Sequence, residues 1–362
     1  MNAWKRFLIF VGLIGVVALL GAACGGEDST GNVQVGDDGD TIAVNELDAR
    51  AVEGTTYVAD AAGIVHVEHD GQTIAVDELD ARAVEGATYV ANAADIVSAV
   101  DWDSMLTVTV GMSDFIFTPE SLTLEAGQPY KLELVNVGAT KHYFTAEGFY
   151  QSVAFRKAQT SEGEFKAPYF KAIEVFPGDQ VDLYFVPLIK GVFGSLCTID
   201  GHEEAGMLGT IIVTGDLPAS LPSPVMAAVA EGNWVQNATD LVSDADWDAM
   251  LTVRVDMSDF TFTPESLTLK AGQPYKLEIV NTGTVKHYFT AGEFYQTAAF
   301  RKVQDNSGEI KAPYFKAVEI FPGEQADLYL IPTKVDTYRS VCTITGHEDA
   351  GMHGTIVVEA SN

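Results

Sequence analysis

The chain has 362 residues, 47% of them hydrophobic, so it can form real hydrophobic cores and is long enough for two or three domains. Its 51 acidic residues outnumber its 21 Lys and Arg residues and give a formal net charge of −30. This excess argues against binding to nucleic acid, because few cations are available to neutralise phosphates. Its 3 cysteines are too few for a disulfide framework.

The chain begins with a segment that is typical of an export signal. Two basic residues precede the apolar run 7–20, which is shorter than the roughly 20 residues that span a bilayer comfortably. Small residues then lead to Cys24, an arrangement that resembles a bacterial lipoprotein signal, although Gly21 stands where that family prefers an aliphatic residue. We therefore expect a signal peptide at 1–23, lipidation of Cys24 and an exported protein at the periplasm or cell surface, held at a membrane by its lipid. The alternative is an uncleaved membrane anchor.

The next part of the chain contains a short internal repeat. Residues 41–62 and 73–94 differ at only three positions, and both copies are small, acidic and rich in Ala and Gly. We interpret residues 24–99 as a low-complexity acidic spacer that carries this duplication. His66 and His69 lie between the two copies without a counterpart in the repeat, so we interpret them as surface residues rather than metal ligands.

A longer repeat covers the rest of the chain. Residues 100–136 reappear as 245–281, and the same offset of 145 residues relates the two copies up to their C-terminal ends. We predict two domains, at 100–215 and 245–362. Residues 216–244 between them contain three prolines in an Ala- and Ser-rich stretch, which is typical of a linker.

Within each copy, short β-like segments are separated by turn residues. In the first copy the predicted strands are 106–112, 122–124, 130–135, 181–186 and 209–214. The span 148–173 has no clean period of two residues and is predicted to be a long loop, with room for a helical turn, that crosses between sheets. Residues 237–250 are predicted to form a short helix that leads into the second copy. Many short strands at regular spacing indicate an all-β fold built from β-sandwiches.

Each copy carries the same four residues that can bind a metal. Cys197, His202 and Met207 have the spacing C-x4-H-x4-M, and His142 precedes the cysteine by 55 residues. The second copy repeats this pattern with His287, Cys342, His347 and Met352. One thiolate, two imidazoles and one thioether are the ligand set of a blue-copper electron-transfer site, in which the thiolate stabilises Cu(I) and the weak methionine tunes the reduction potential.

Taken singly, each of these residues has a simpler interpretation, since buried cysteine and methionine side chains are often core residues without a further role. Their matching spacing in both copies favours a metal site. Zinc fits less well, because it usually takes more thiolates or a carboxylate and a methionine ligand would be unusual. A dinuclear copper centre would need a second cysteine in each loop, and the sequence has none there.

Both copies resemble the cupredoxins, the plastocyanin and azurin family, whose fold is a Greek-key β-sandwich with copper at one end. The resemblance covers nearly all of the two predicted domains. It implies two tandem Greek-key sandwiches and two copper ions, one in each domain, held by the four residues of that copy. One departure is that Tyr143 and Tyr288 follow the first histidine, where many relatives have a small polar residue. Thr198 and Thr343, directly after the cysteines, are in a position to place a backbone or hydroxyl hydrogen bond near the sulfur.

Some multidomain cupredoxins are enzymes, namely nitrite reductases and multicopper oxidases, and their extra copper ions need further histidines. Outside the two predicted sites only His66, His69 and His353 remain, too few and too scattered for a trinuclear cluster. We therefore predict a non-enzymatic electron-transfer protein with two type 1 copper sites. Its expected partners are redox proteins, such as a cytochrome or a membrane oxidase or reductase, and a membrane reached through the lipid anchor. The alternatives are copper storage or delivery without a redox role, and a redox-silent adhesion or scaffold module.

Two basic-aromatic segments also recur in both copies. Arg156 and Lys157 are followed by the stretch 166–171, and the second copy repeats them at 301–302 and 311–316. We interpret them as strand-packing residues with solvated lysines, with a docking surface near the copper as the alternative.

Overall fold

The computed structural model describes residues 88–228, 234–235 and 237–361, together with the backbone of five short strands between residues 33 and 75. The predicted signal peptide at 1–23 and Cys24 lie outside the described residues, as do the side chains of His66 and His69. Within the described part of the chain, none of the helices has the length and apolar character needed to cross a membrane.

The five short strands form a sheet of their own, in the order β2-β1-β3-β4-β5. They are β1 (Val33–Val35), β2 (Thr41–Ile42), β3 (Thr55–Ala59), β4 (Val65–His69) and β5 (Gln72–Ala75).

The two copies of the long repeat contain equivalent elements in the same order. The first copy comprises β6 (Thr88–Val90), α1 (Ala93–Ala99), a 3₁₀ turn (Trp102–Ser104), β7 (Leu106–Ser113), β8 (Ile116–Thr118), β9 (Ser121–Glu125), β10 (Tyr130–Asn136), β11 (His142–Phe144), α2 (Glu147–Gln151), β12 (Val153–Gln159), β13 (Gly163–Lys166), β14 (Ala172–Val175), β15 (Gln180–Pro187), β16 (Gly191–Leu196) and β17 (Leu208–Thr214). The second comprises β18 (Met226–Ala228), α3 (Ala238–Asp244), a 3₁₀ turn (Trp247–Ala249), β19 (Leu251–Ser258), β20 (Thr261–Thr263), β21 (Ser266–Lys270), β22 (Tyr275–Asn281), β23 (His287–Phe289), α4 (Gly292–Gln296), β24 (Ala298–Gln304), β25 (Gly308–Lys311), β26 (Ala317–Ile320), β27 (Gln325–Pro332), β28 (Asp336–Val341) and β29 (His353–Glu359).

The first copy folds into two sheets around a hydrophobic core. The large sheet has the order β13-β12-β15-β10-β7-β8, and the small sheet has the order β16-β17-β9. Leu132 and Phe185 from the large sheet and Leu124 and Ile211 from the small sheet belong to one cluster of buried side chains. The second copy repeats this arrangement. The predicted all-β class, with two tandem Greek-key β-sandwich domains, is therefore confirmed.

The strands predicted in the first copy are all present, and their burial explains why they could be recognised. Along β10, buried residues alternate with partly exposed ones, which is the pattern of a strand with one face on the core. The prediction of a loop at 148–173 is wrong, because this span contains β12 and β13, but the helical turn predicted within it is present as α2. Val153, Ala154 and Phe155 of β12 are all buried, since α1 covers the face that does not point to the core, and the alternation is lost.

The large sheet of each copy continues into the other copy. β13 pairs with β26 of the second copy, and β26 also pairs with β23. Reciprocally, β25 of the second copy pairs with β14 of the first, which also pairs with β11. Two eight-stranded sheets result, each with six strands from one copy and two from the other. The two copies are therefore interlocked and share one continuous cluster of buried side chains.

Two glycines allow this close approach of backbone to backbone. A Cβ atom on Gly163 would lie 2.1 Å from the backbone oxygen of Glu319, and one on Gly308 would lie 1.9 Å from that of Glu174. Such distances are far inside normal van der Waals contact, so only glycine fits at these two positions of the pairing.

The first folded unit begins before residue 100. Val90 and Ile96, from β6 and α1, are buried against Ala154 and Val186. β18, which lies in the stretch 216–244, pairs with β6. The short helix predicted at 237–250 is present as α3 and the 3₁₀ turn that follows it.

Candidate metal centres

One tight loop between β16 and β17 brings together three of the four predicted ligand residues of the first copy. The Cys197 N–H donates to the Met207 carbonyl oxygen at 3.0 Å, and the Met207 N–H donates to the His202 carbonyl oxygen at 2.9 Å. Gly201 and Gly206 have φ angles of +81° and +96°, a conformation that side chains disfavour. The two glycines therefore make the turns that return the chain to the start of the loop.

The fourth residue, His142, comes from β11 on a different sheet. The Asn136 side chain holds the loop before it, because its Nδ2 donates to the carbonyl oxygens of Thr140 and Val175 at 2.8 Å each. His142 Nε2 lies 3.4 Å from Asp114 Oδ1, whereas the buried Nδ1 has no hydrogen-bond partner within the described part of the chain. The ring is thus fixed through Nε2, and Nδ1 is left as a free lone pair.

The structure brings the thiol and the two imidazoles of each copy together. One ligand atom from each of His142, Cys197 and His202 lies within 4.8 Å of the others, and the second copy has the same arrangement. In the second copy, Cys342 Sγ lies 4.0 Å from His287 Nδ1 and 3.4 Å from His347 Nδ1, and the two nitrogens are 3.3 Å apart. A point equidistant from these three atoms lies about 2.1 Å from each, within the roughly 2.0–2.3 Å that zinc, an ion of similar size to copper, keeps to nitrogen and sulfur. The donor atoms of the second copy therefore have the spacing that a metal ion needs.

The centre is buried on all sides except one. His142, Cys197 and Met207 are each 0% exposed, whereas His202 is partly exposed. The Phe115 ring, itself 47% exposed, packs edge-on against the His202 ring with centroids 5.0 Å apart. The same contact joins Phe260 to His347 in the second copy. Met207 and Met352 are buried at the ends of their loops.

Burial shifts the protonation equilibria of this site in favour of neutral groups. It raises the pKa of the Cys197 thiol, because the thiolate is desolvated, and backbone N–H groups only partly offset this. Burial also lowers the pKa of His142. The neighbouring His202 lowers this pKa further, whereas Asp114 raises it in part. The neutral imidazole is the form that binds metals. A metal cation at this point would balance the negative charge of the buried thiolate.

The hydrogen bonds to the sulfur come from residues that the sequence analysis did not assign to this role. The Tyr143 N–H donates to Cys197 Sγ at 3.4 Å, and the backbone of Ile199 provides a second bond. The Thr198 hydroxyl lies 3.4 Å from that of Thr145. Thr343 in the second copy has the equivalent neighbour, the Thr290 hydroxyl at 3.5 Å.

Asp114 and its counterpart Asp259 were also missed. Asp259 Oδ1 lies 3.2 Å from His287 Nε2, as Asp114 does from His142 at a slightly longer distance. The only signal in the sequence is that the tetrapeptide Met-Ser-Asp-Phe, at 112–115, recurs unchanged at 257–260. His353 does not belong to either of the His/Cys clusters found among the described residues.

The second copy matches a known protein family, and a shorter part of the chain matches a known copper protein. Residues 226–358 match the family model described as "Cupredoxin-like domain". The copper-resistant cuproprotein CopI of Rubrivivax gelatinosus is 30% identical over 111 residues, which cover 30% of this chain and 67% of that protein.

Similar solved structures include auracyanin B, at 23% identity and a TM-score of 0.22, with 30% of this chain and 88% of that chain covered. A copper-containing nitrite reductase from Thermus scotoductus has 13% identity and a TM-score of 0.25, with 70% and 61% covered. A multicopper oxidase from Campylobacter jejuni has 13% identity and a TM-score of 0.28, with 74% and 65% covered. The chain thus spans less than two thirds of these two enzymes, and such low TM-scores carry no conclusion about activity. On the family match and the relative, the chain belongs to the cupredoxins, a family of copper-binding proteins.

Proposed function

We propose that the protein is an electron carrier with two type 1 copper sites. The proposed ligands are His142, Cys197, His202 and Met207 in the first copy and His287, Cys342, His347 and Met352 in the second. The observation that carries the proposal is the convergence of two ring nitrogens and one thiol on a single buried point in each copy. This is the trigonal donor set of blue-copper centres, to which a methionine adds a weak fourth ligand.

Rigid attachment of these donors favours rapid electron transfer. The loop with Cys197 is held by the small sheet, and His142 is held by β11 in a large sheet, so the donor positions are set before copper binds. When bound, copper supplies a one-electron change between Cu(I) and Cu(II). A donor set that changes little between the two states keeps the reorganisation energy small. The partly exposed edge of His202 is the route by which electrons would enter or leave.

The residues around the donors prepare them for the metal. The contact between His142 Nε2 and Asp114 favours the tautomer with a free Nδ1 lone pair. The Cys197 thiol gives up its proton on binding, and the Tyr143 N–H then stabilises the negative charge on the sulfur.

Copper storage or delivery is the second candidate, and the name of the relative, a copper-resistant cuproprotein, favours it. We favour the carrier role because each site offers one buried thiolate with two imidazoles, rather than an exposed Met- or His-rich cluster. We also propose a non-enzymatic role, since only three histidines of the sequence lie outside the two sites. Export, lipid anchoring through Cys24 and redox partner proteins such as a cytochrome or a membrane oxidase or reductase complete the proposal.

The test is copper loading of the purified protein, followed by metal analysis, optical and electron paramagnetic resonance spectra and electrochemistry. We expect two copper ions per chain and an intense charge-transfer band, of which Cys197→Ser and Cys342→Ser each remove about half, because the sites share one donor set. Cys24→Ser is the matched control and should leave the band unchanged. A colourless copper-loaded protein with slow self-exchange would favour storage, and no stoichiometric copper would exclude both functions.

A further inference from the structure

The backbone donor to each copper-site sulfur belongs to a tyrosine whose side chain reaches the opposite copy. The Tyr143 N–H donates a hydrogen bond to Cys197 Sγ, and the Tyr143 hydroxyl donates one to Glu309 Oε1 of the second copy at 3.0 Å. Tyr143 is buried, and Lys311 of the second copy lies 4.2 Å from its ring centroid. This contact is possible because β14 and β11 extend the sheet to which Glu309 and Lys311 belong.

Glu309 is held firmly in this position. Its carboxylate forms an ion pair with Lys302 on the neighbouring strand β24, and the residue is almost fully buried. Although burial acts to raise the pKa of Glu309, Lys302 and the other hydrogen bonds lower it below its ordinary value. The Tyr143 hydroxyl therefore donates to a negative charge, close to the first copper site and supplied by the second copy.

The second site has the opposite arrangement. The Tyr288 N–H donates to Cys342 Sγ at 3.4 Å, as in the first copy, but the Tyr288 hydroxyl accepts a hydrogen bond from Lys166 Nζ at 3.0 Å. Lys166 belongs to the first copy, so the exchange is again reciprocal. Glu164, the first-copy counterpart of Glu309, bonds to Lys157 at 2.6 Å, just as Glu309 pairs with Lys302.

Each tyrosine also has a buried carboxylate of its own copy nearby, Glu174 beside Glu309 in the first site and Glu319 hydrogen-bonded to the Tyr288 hydroxyl in the second. Lys141 pairs with the fully buried Glu174 at 2.7 Å, and Lys286 pairs with the fully buried Glu319 at 2.8 Å. A lysine of the opposite copy lies against each tyrosine ring. What distinguishes the sites is the group of the opposite copy that is bonded to the tyrosine hydroxyl, which is the Glu309 carboxylate for the first site and the Lys166 ammonium for the second.

We infer that a charged residue of the opposite copy tunes each copper site through the tyrosine beside its first histidine, Glu309 acting on the first site and Lys166 on the second. This inference rests on the proposed function. A negative charge near copper stabilises Cu(II), and a positive charge stabilises Cu(I). The first site therefore has the lower reduction potential of the two, and electrons move from the first site to the second. Glu309 and Lys166 are positioning residues, since neither contacts the donor atoms.

The test uses the full chain with one site disabled at a time. In the Cys342→Ser protein, which keeps the first site, Glu309→Gln should raise the midpoint potential, because a negative charge is lost while an oxygen remains for the Tyr143 hydroxyl. In the Cys197→Ser protein, which keeps the second site, the same substitution should leave the potential unchanged. This pair separates tuning of one site from a general loss of structure, which would alter both.

A second variant tests the reverse sign and does not depend on Glu309→Gln folding. Lys166→Gln in the Cys197→Ser protein should lower the midpoint potential of the second site and leave that of the first unchanged in the Cys342→Ser protein. The inference is overturned if the two single-site proteins have equal midpoint potentials, or if a substitution shifts both potentials equally. In either case a charge-transfer band in both proteins would still support the proposed function. Absence of that band in both proteins overturns the proposed function and the inference with it.

Discussion

The contact between the two copies contains a carboxylate whose burial makes stability depend on pH. Asp305 lies in the turn between β24 and β25 and is 8% exposed. Its Oδ2 accepts a hydrogen bond from Thr160 Oγ1 of the first copy at 2.6 Å, and its Oδ1 accepts bonds from the N–H groups of Ser307 and Gly308. Burial nevertheless raises the pKa of Asp305 to about 6, with a further contribution from the negative charge of Glu162.

This shift can be converted into a free energy of unfolding. An aspartate in an unfolded chain has a pKa of about 3.9, and each unit of difference corresponds to roughly 1.4 kcal/mol. Below pH 4 both states are mostly protonated and the burial costs little. As the pH rises towards 6 and beyond, the folded state must lose a proton that it holds more tightly than the unfolded state does, so stability falls by about 2–3 kcal/mol.

Asp305→Asn should remove this loss, because the amide oxygen can still accept the two N–H bonds but carries no charge. We expect the free energy of unfolding of the variant, relative to the parent, to increase by about 2–3 kcal/mol between pH 4 and pH 8, with most of the change between pH 4 and 6. Urea denaturation of the copper-free proteins at a series of pH values measures this difference. Taking the difference cancels the titration of groups that both proteins share.

Asp216→Asn, at an exposed position after β17, is the control for losing one negative charge. A difference between Asp305→Asn and the parent that does not change with pH would refute the reasoning, because it would mean that Asp305 titrates alike in the folded and unfolded states. A loss of stability at every pH would show instead that hydrogen bonds to the carboxylate outweigh its desolvation.

Three further predictions concern the strand exchange, the proposed methionine ligand and the core. Gly308→Ala should lower both the unfolding free energy of the protein and the copper affinity of the first site, because the added Cβ would collide with β14, which supports β11 and His142. Gly292→Ala, which has open space around its Cβ, is the control. Calorimetry and copper titration compare the two variants. Met207→Leu should keep the charge-transfer band and raise the potential of the first site in voltammetry, since loss of the thioether destabilises Cu(II). Phe185→Ala should lower the unfolding free energy by about 3–5 kcal/mol in urea titrations while both copper bands persist in the folded protein, because the ring is fully buried and packs against the rings of Tyr130, Phe149 and Phe155. Unchanged stability of Gly308→Ala, an unchanged potential of Met207→Leu or a lost copper band in Phe185→Ala would contradict the corresponding expectation.

The candidate site was accessible from sequence because its chemistry is local. Three of the four predicted ligands lie in one loop, where Cys197, His202 and Met207 are spaced by glycines that adopt positive φ angles. The residues that orient the donors were not accessible. Asp114 and Tyr143 act through contacts between segments that are distant in the chain, and neither residue type indicates such a role by itself.

Strands with one face on the core and one towards solvent could be predicted, because their period of two survives in the sequence. β12 could not be, because α1 covers its second face and removes the alternation. The basic-aromatic segments do contribute strand-packing residues, but the partners of two of their lysines could not be predicted. Lys166 and Lys311 lie against the tyrosines of the opposite copy rather than on a solvated or docking surface.

By itself, the sequence determined the donor types, their spacing, the duplication and the all-β class, since each of these depends on residues close together in the chain or on a local period. Only the tertiary structure decided which strands pair. β13 and β25 read Gly-Glu-Phe-Lys and Gly-Glu-Ile-Lys, and β14 and β26 read Ala-Ile-Glu-Val and Ala-Val-Glu-Ile. Either member of one pair can form the same hydrogen bonds and bury the same faces with either member of the other. Because duplication made the partners nearly identical, local physics cannot distinguish pairing within a copy from pairing between copies, and the path of the whole chain makes the choice.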